Sequence, residues 1–259
     1  MSKINALARK SVSYLMLFLA GLIGGGGLLI FMLFLFSGSF NLVELGLSEN
    51  QALLFDIFLC LLFFGQHSIM ARKPVRLWLA RYLPTQYIGA VYAIASGVAV
   101  LVLVVLWQES SYVLASPRSF VRLILRAVFV LAIAGVGWTI WALGFFVNFR
   151  LQSLMDDLRG KRSEPTPVVQ RGPYRWVRHP LYLSSLLMIW SFPDLTLDRL
   201  MFDLVFTAWV ILAILLEERE LVVAYGVSYR SYHSYVPMLI PWRIRLGSIR
   251  GQIKSWLEE

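Results

Sequence analysis

One cysteine in 259 residues, Cys60, excludes an intrachain disulfide and leaves the redox compartment open. Charge is scarce too: Asp, Glu, Lys and Arg make up 15% of the chain, against about a quarter in soluble domains. Acidic residues are the rarer sign, 15 against 24 basic ones, which gives a formal charge of +9. The three histidines, His67, His179 and His233, stand far apart, with no HExxH pair and no cysteine cluster. No metal site is therefore expected. No glycine pattern has the GxGxxG or P-loop form, and the run Gly24 to Gly27 lies inside an apolar stretch rather than after a strand. There is no internal repeat and no low-complexity linker.

What is abundant is apolar: 58% of the chain is hydrophobic. This composition specifies an all-α integral membrane protein. Runs of about 20 apolar residues are needed for a crossing, and residues 14–36, 52–70, 87–107 and 121–147 supply four spans. Residues 181–192 and 200–216, joined by a turn at 193–199, read as a tight helical hairpin, for about six crossings in all. The apolar stretch after Met1 is too long for a signal peptide core and lacks an A-x-A site, so it reads as a retained first span. Its glycines suit close helix packing.

The N-terminus, the 71–86 loop, the 148–180 loop and the tail from 217 carry 3, 4, 7 and 6 Lys or Arg, whereas 37–51 carries none and 193–199 one. The positive-inside rule places both termini in the cytoplasm. Arg118, Arg122 and Arg126 are exceptions. The excess of positive charge is assigned to topology and anionic lipid headgroups, not to nucleic acid. Short loops and the lack of organelle-type targeting point to a bacterial inner membrane. Residues 1–147 form an N-terminal four-helix region and 148–259 a second region.

Two polar constellations interrupt the apolar pattern. The first is Arg171-Gly172-Pro173-Tyr174-Arg175-Trp176-Val177-Arg178-His179-Pro180-Leu181-Tyr182. Gly172 and Pro173 force a turn, and Pro180 suits a helix start, where its missing N–H is not needed. A positive-inside loop with interfacial aromatics explains the arginines and Trp176 but not the histidine held between Arg178 and Pro180. The second is Glu217-Glu218-Arg219-Glu220, directly after an apolar helix. If that helix continues, Glu218, Tyr225, Tyr229 and Tyr232 share one stripe, although Gly226 weakens it. Carboxylates at a membrane boundary are costly unless paired, and Arg175, Arg178 or Arg219 are the natural partners of Glu217 or Glu218.

Together these segments resemble the isoprenylcysteine carboxyl methyltransferase and phospholipid methyltransferase superfamily. The match carries an RHPxY segment, then a helical hairpin, an EExxL segment and a YGxxYxxY tail, over residues 144–242. Ser184 departs from the glycine common after the tyrosine, which would tighten a cofactor pocket. The segment Gln66-His67-Ser68-Ile69-Met70-Ala71-Arg72, with Trp190, Pro193 and Thr196, further resembles the methanethiol S-methyltransferase branch.

The resemblance implies a cytoplasmic catalytic region that uses S-adenosylmethionine. Arg178, His179 and the amides after Pro180 suit its carboxylate, and Glu217 or Glu218 its ammonium or ribose. Tyr174, Tyr182, Trp176 and Tyr229 offer aromatic faces for adenine and the sulfonium. A thiol acceptor must lose a proton. His67 is the candidate base, with Arg150 or Arg219 as cationic support; a histidine bonded to a neighbouring helix is the competing reading. The acceptor is expected to be a small thiol, with an isoprenylcysteine carboxylate or a phospholipid amine as the alternative. A nicotinamide-dependent reductase and a non-catalytic membrane protein are the readings from other classes.

Overall fold

In lipid every backbone N–H and C=O must be satisfied within its own segment, so long apolar runs fold as helices. The computed structural model describes residues 3–161 and 168–242. Arg162 and the tail residues Arg243, Arg245, Arg250 and Lys254, counted above for orientation, lie outside them. Helix α1 (Lys3–Leu19) passes through a π-helical turn at Ala20–Gly25 into α2 (Gly26–Ser37). Helix α3 (Glu49–Ala71) begins after Ser48, whose N–H donates to Gln51 Oε1 at 3.0 Å, a capping box. Short α4 (Lys73–Leu79) leads to α5 (Ile88–Leu106), and strand β1 (Val113–Ala115) precedes α6 (Phe120–Leu143). Two short helices, α7 (Phe145–Asn148) and α8 (Gln152–Leu158), follow. Then come α9 (Pro180–Ile189), strand β2 (Leu195–Thr196), α10 (Leu197–Tyr225) and α11 (Val227–Tyr235).

Five segments are long and apolar enough to cross a bilayer: Ala8–Ser37, Glu49–Ala71, Thr85–Leu106, Phe120–Leu143 and Leu197–Tyr225. Large side chains on their outer faces, such as Leu131 at 70% and Trp141 at 74% exposure, suit lipid. The expected hairpin is unequal. Its first arm, α9, has 10 residues, about 15 Å of helix, and packs along α6. Its second arm, α10, runs 29 residues and carries Glu217 and Glu218 within its last turns.

The glycine run serves packing, as its position between apolar residues suggests. A Cβ on Gly97 of α5 would lie 2.2 Å from Ile23 O, and one on Gly24 would lie 2.8 Å from Ala93 O. The π-turn packs on α5 that closely, and α2 follows at Gly27, whose Cβ would lie 3.0 Å from Gly97 O, because the facing positions are glycines. Beyond this seam a core of aromatics in mostly edge-to-face contact, including Phe34, Phe64, Trp107, Phe202 and Phe206, joins α2, α3, α5 and α10.

The loops sort into two ends. At one, Gln108 Nε2 donates to Val43 O at 2.9 Å and β1 pairs antiparallel with β2. Asp194 accepts from Ser116 Oγ at 2.6 Å and forms an ion pair with Arg122, while Arg126 bonds Phe36 O and lies 4.2 Å from the Phe36 ring centroid. Two of the three arginines that break the positive-inside pattern are thus tied to neighbouring segments, Arg122 to loop residues and Arg126 to the end of α2. At the other end Arg72 Nη1 meets Glu220 Oε1 at 2.8 Å and Arg9 meets Asp157 at 3.3 Å. Leu151 and Leu154 pack there on Ala20, Tyr87 and Ala90.

The continuous stripe of Glu218, Tyr225, Tyr229 and Tyr232 does not form. Gly226 adopts φ +54°, ends α10, and lets α11 start as a separate helix. Gly144, at φ +100°, likewise ends the fourth span at Leu143.

Candidate active site

Pro180 opens α9 with His179 as its N-cap, as its chemistry dictates. The two residues before it are fixed by the returning tail: Arg178 N–H donates to Pro237 O at 2.9 Å and His179 N–H to Met238 O at 3.2 Å. The turn Gly172–Arg175 is anchored from the other side, where Tyr232 donates to Tyr174 O at 2.7 Å. The loop before α9 and the tail after α11 therefore form one unit.

Glu218 is the charge at its centre. Its Oε1 accepts from Arg178 Nε at 2.7 Å and lies 2.5 Å from Arg178 Nη2 and 3.2 Å from His179 Nε2. Its Oε2 lies 3.4 Å from His233 Nε2. Arg178 Nη1 donates to His233 O at 3.1 Å and Val236 O at 2.5 Å. Each guanidinium nitrogen of Arg178 is thus engaged by the protein, and the side chain is buried. It holds α10, α9 and the tail together.

The aromatic residues of this cluster keep their protons. Burial and the Glu217 charge push the Tyr174 phenol up to about 12. Burial and the Glu218 charge do the same to Tyr229, also to about 12. The Tyr229 hydroxyl, buried beside Arg178, makes no hydrogen bond of ordinary geometry. A buried O–H of this kind is a donor waiting for an acceptor.

Glu217, the next residue, faces elsewhere. Its Oε2 accepts from the Tyr182 hydroxyl at 2.9 Å. The pairing expected for the two carboxylates is present for Glu218 with Arg178, whereas Glu217 takes a phenol. Two adjacent residues on one helix therefore serve two groups of side chains.

The second group surrounds His67. Its Nδ1 lies 3.1 Å from Ser96 Oγ, and the Tyr92 hydroxyl lies 2.9 Å from Nε2 and 3.2 Å from Nδ1. Phe63 covers one side of the ring at 5.3 Å between centroids. Arg150 stands over Tyr92, 5.4 Å from its ring centroid. Its backbone is left-handed, φ +58°, and lies so close to α5 that a Cβ on Gly89 would fall 1.9 Å from Arg150 O. The Oε1 of Gln66, beside Ser96, is buried without a partner.

Of the residues singled out from sequence, the structure gathers Tyr174, Arg178, His179, Pro180, Glu218 and Tyr229 in one cluster, and His67 and Arg150 in the other. Tyr182 and Glu217 lie between them. Arg219 is exposed on α10 and joins neither. Ser184 is buried on the α6 side, where a Cβ on Gly135 would meet its Oγ at 2.6 Å. Tyr92 and Ser96 escaped notice because they sit in an otherwise apolar span. The rule that polar groups inside spans mark function was the available signal. His233 was missed as a Glu218 partner because Gly226 redirects the chain.

The phospholipid methyltransferase family model matches residues 121–228, which include α9, Glu217 and Glu218. Methanethiol S-methyltransferase of Pseudomonas sp. (strain GM41(2012)) is 33% identical over 76% of this chain and 76% of its own length. That of Mycobacterium tuberculosis is 33% identical over 74% of this chain and 80% of its own. That of Crocosphaera subtropica is 34% identical over 74% and 75%. No solved structure matches the chain. With the spans, the paired carboxylates and these similarities in hand, the chain belongs to the family of membrane methyltransferases that includes the methanethiol S-methyltransferases.

Proposed function

We propose that this enzyme transfers a methyl group from S-adenosylmethionine to a small thiol, methanethiol being the acceptor named for the relatives, and releases dimethyl sulfide. The carrying observation is the division of labour between Glu217 and Glu218, which sets a charged cluster beside a histidine cluster.

The residues present fit the donor. The Tyr229 O–H, which has no acceptor among the described residues, is available to an acceptor atom such as a carboxylate, and Glu218 Oε2, only loosely held by His233 at 3.4 Å, is available to an ammonium. Tyr174 and Tyr182 supply aromatic faces, which attract a sulfonium. The role of Arg178 and His179 is to orient Glu218. When bound, the donor supplies an electrophilic methyl on a positively charged sulfur.

The protein's remaining tasks are to align the acceptor, remove its proton and exclude water. His67 accepts the thiol proton, and the Arg150 charge favours the resulting thiolate. Residues 1–147 supply His67, and residues 148–259 supply the donor cluster. The active site opens to the cytoplasmic end, with both termini on that side of a bacterial inner membrane, because the basic loops converge there.

The test is headspace gas analysis of purified protein given S-adenosylmethionine and methanethiol, beside reactions with a phospholipid amine or an isoprenylcysteine carboxylate. Dimethyl sulfide formed in preference to the lipid products supports the reading. Methylation of either lipid, with no dimethyl sulfide, overturns the acceptor.

A further inference from the structure

We infer that Tyr92 is a positioning residue for methyl transfer: its hydroxyl holds the His67 ring for the acceptor and passes on the proton that His67 takes. The inference rests on the thiol methyltransferase reading above and assigns a residue to the acceptor side of it.

Three observations carry it. A base must keep one nitrogen free of protons until the substrate's proton arrives, which an O–H donated to that nitrogen does, and what the second nitrogen bonds sets the tautomer. The Tyr92 hydroxyl is within reach of both nitrogens, 2.9 Å from Nε2 and 3.2 Å from Nδ1, and Ser96 Oγ backs Nδ1 at 3.1 Å. Each ring nitrogen therefore has a hydroxyl beside it, Ser96 at Nδ1 and Tyr92 at the shorter distance to Nε2, and Phe63 covers one side of the ring. Second, Tyr92 is in contact with a charged group as well as with His67: the Arg150 guanidinium lies over its ring, 5.4 Å from the centroid. Third, the unpaired Gln66 Oε1 leaves one buried acceptor in this cluster unmatched, and a thiol S–H can meet it. Such a gap beside a base is a place for a small polar ligand.

The step balances as follows. The S–H bond of the thiol breaks and its electron pair forms the bond from sulfur to the arriving methyl. The bond from that methyl to the donor sulfonium breaks, and its pair stays on the donor sulfur, which leaves as a neutral thioether. The proton goes to His67, then by exchange through the Tyr92 hydroxyl to solvent beside the exposed Arg150. No oxidant or reductant enters.

The experiment compares Tyr92→Phe with wild type in full-length protein, using methanethiol and an acidic aromatic thiol that is already ionised at the assay pH. S-adenosylmethionine binding is measured by calorimetry on the same samples. The expected result is a fall in kcat with methanethiol of about 10-fold to 100-fold, with donor affinity kept within about twofold and a much smaller loss with the acidic thiol. Carbethoxylation of His67, followed by peptide mass spectrometry, should quicken because the ring has lost its cover. Equal losses with both thiols, or none, overturn the inference. If Tyr92→Phe fails to bind donor, Ser96→Ala must show the same acceptor-dependent loss to a smaller degree; a uniform loss overturns it. Wild-type protein that binds no S-adenosylmethionine fails at the earlier step and removes the methyltransferase reading itself.

Discussion

At the scale of single residues, Arg178 shows how a charged side chain inside a cluster differs from one on a surface. Its partners are Glu218 and two tail carbonyls, and it is buried. Truncating one member of a buried pair strands the other charge, which costs about 3–5 kcal/mol. Arg178→Ala is expected to lower stability by that amount and to release the tail, read by thermal denaturation in detergent and by proteolysis near residue 237. If stability is unchanged, the side chain is not the tie described. The residue types of this cluster were legible in the sequence because RHP and EE are compact and their chemistry is restrictive. Their contacts were less so: Arg178 was assigned to a cofactor carboxylate, whereas its nitrogens are engaged by Glu218 and the tail.

At the scale of elements, two glycines set the distance between helices. The approach of α2 to α5 depends on Gly97, so Gly97→Ala should overpack the seam and cost about 1–3 kcal/mol or more, measured as a lowered melting temperature. Gly89 sets the approach of the Arg150 backbone to α5. Gly89→Ala should push Arg150 away from Tyr92, lowering turnover with thiol while donor affinity, measured by calorimetry, stays close to wild type. Loss of donor affinity instead would place Arg150 on the donor side. Helix positions were readable from apolar run length, since a bilayer demands it. Helix ends were not: Gly144 and Gly226 adopt positive φ, and nothing in periodicity distinguishes a glycine that bends a helix from one that ends it. The π-turn at Ala20–Gly25 was equally invisible from periodicity.

At the scale of the whole molecule, the two ends of the bundle have different tasks. The end with β1 and β2 is a polar clasp. Its Asp194 carboxyl is held below the ordinary aspartate value of 3.8, chiefly by the hydrogen bond from Arg122. A carboxyl depressed by folding stabilises the protein above its unfolded pKa, and that stabilisation is lost as pH falls through the folded value. Asp194→Asn should therefore lower the melting temperature at neutral pH. The gap to wild type should narrow below about pH 4 and close at still lower pH. Because the pair is partly exposed, the effect is modest and shrinks with added salt. A gap independent of pH would contradict this account.

The other end carries the two side-chain clusters proposed above for methyl transfer. Its convergence was foreseeable from the distribution of Lys and Arg, but the separation into two clusters was not, because it depends on which way two adjacent carboxylates face. That separation is the central claim, and its most direct test is calorimetric titration of S-adenosylmethionine into wild type, Glu218→Gln and His67→Ala. The account predicts that Glu218→Gln weakens donor binding by about tenfold or more. His67→Ala should keep donor affinity within about twofold while losing thiol turnover. Donor binding that depends on His67 and is indifferent to Glu218 would contradict it.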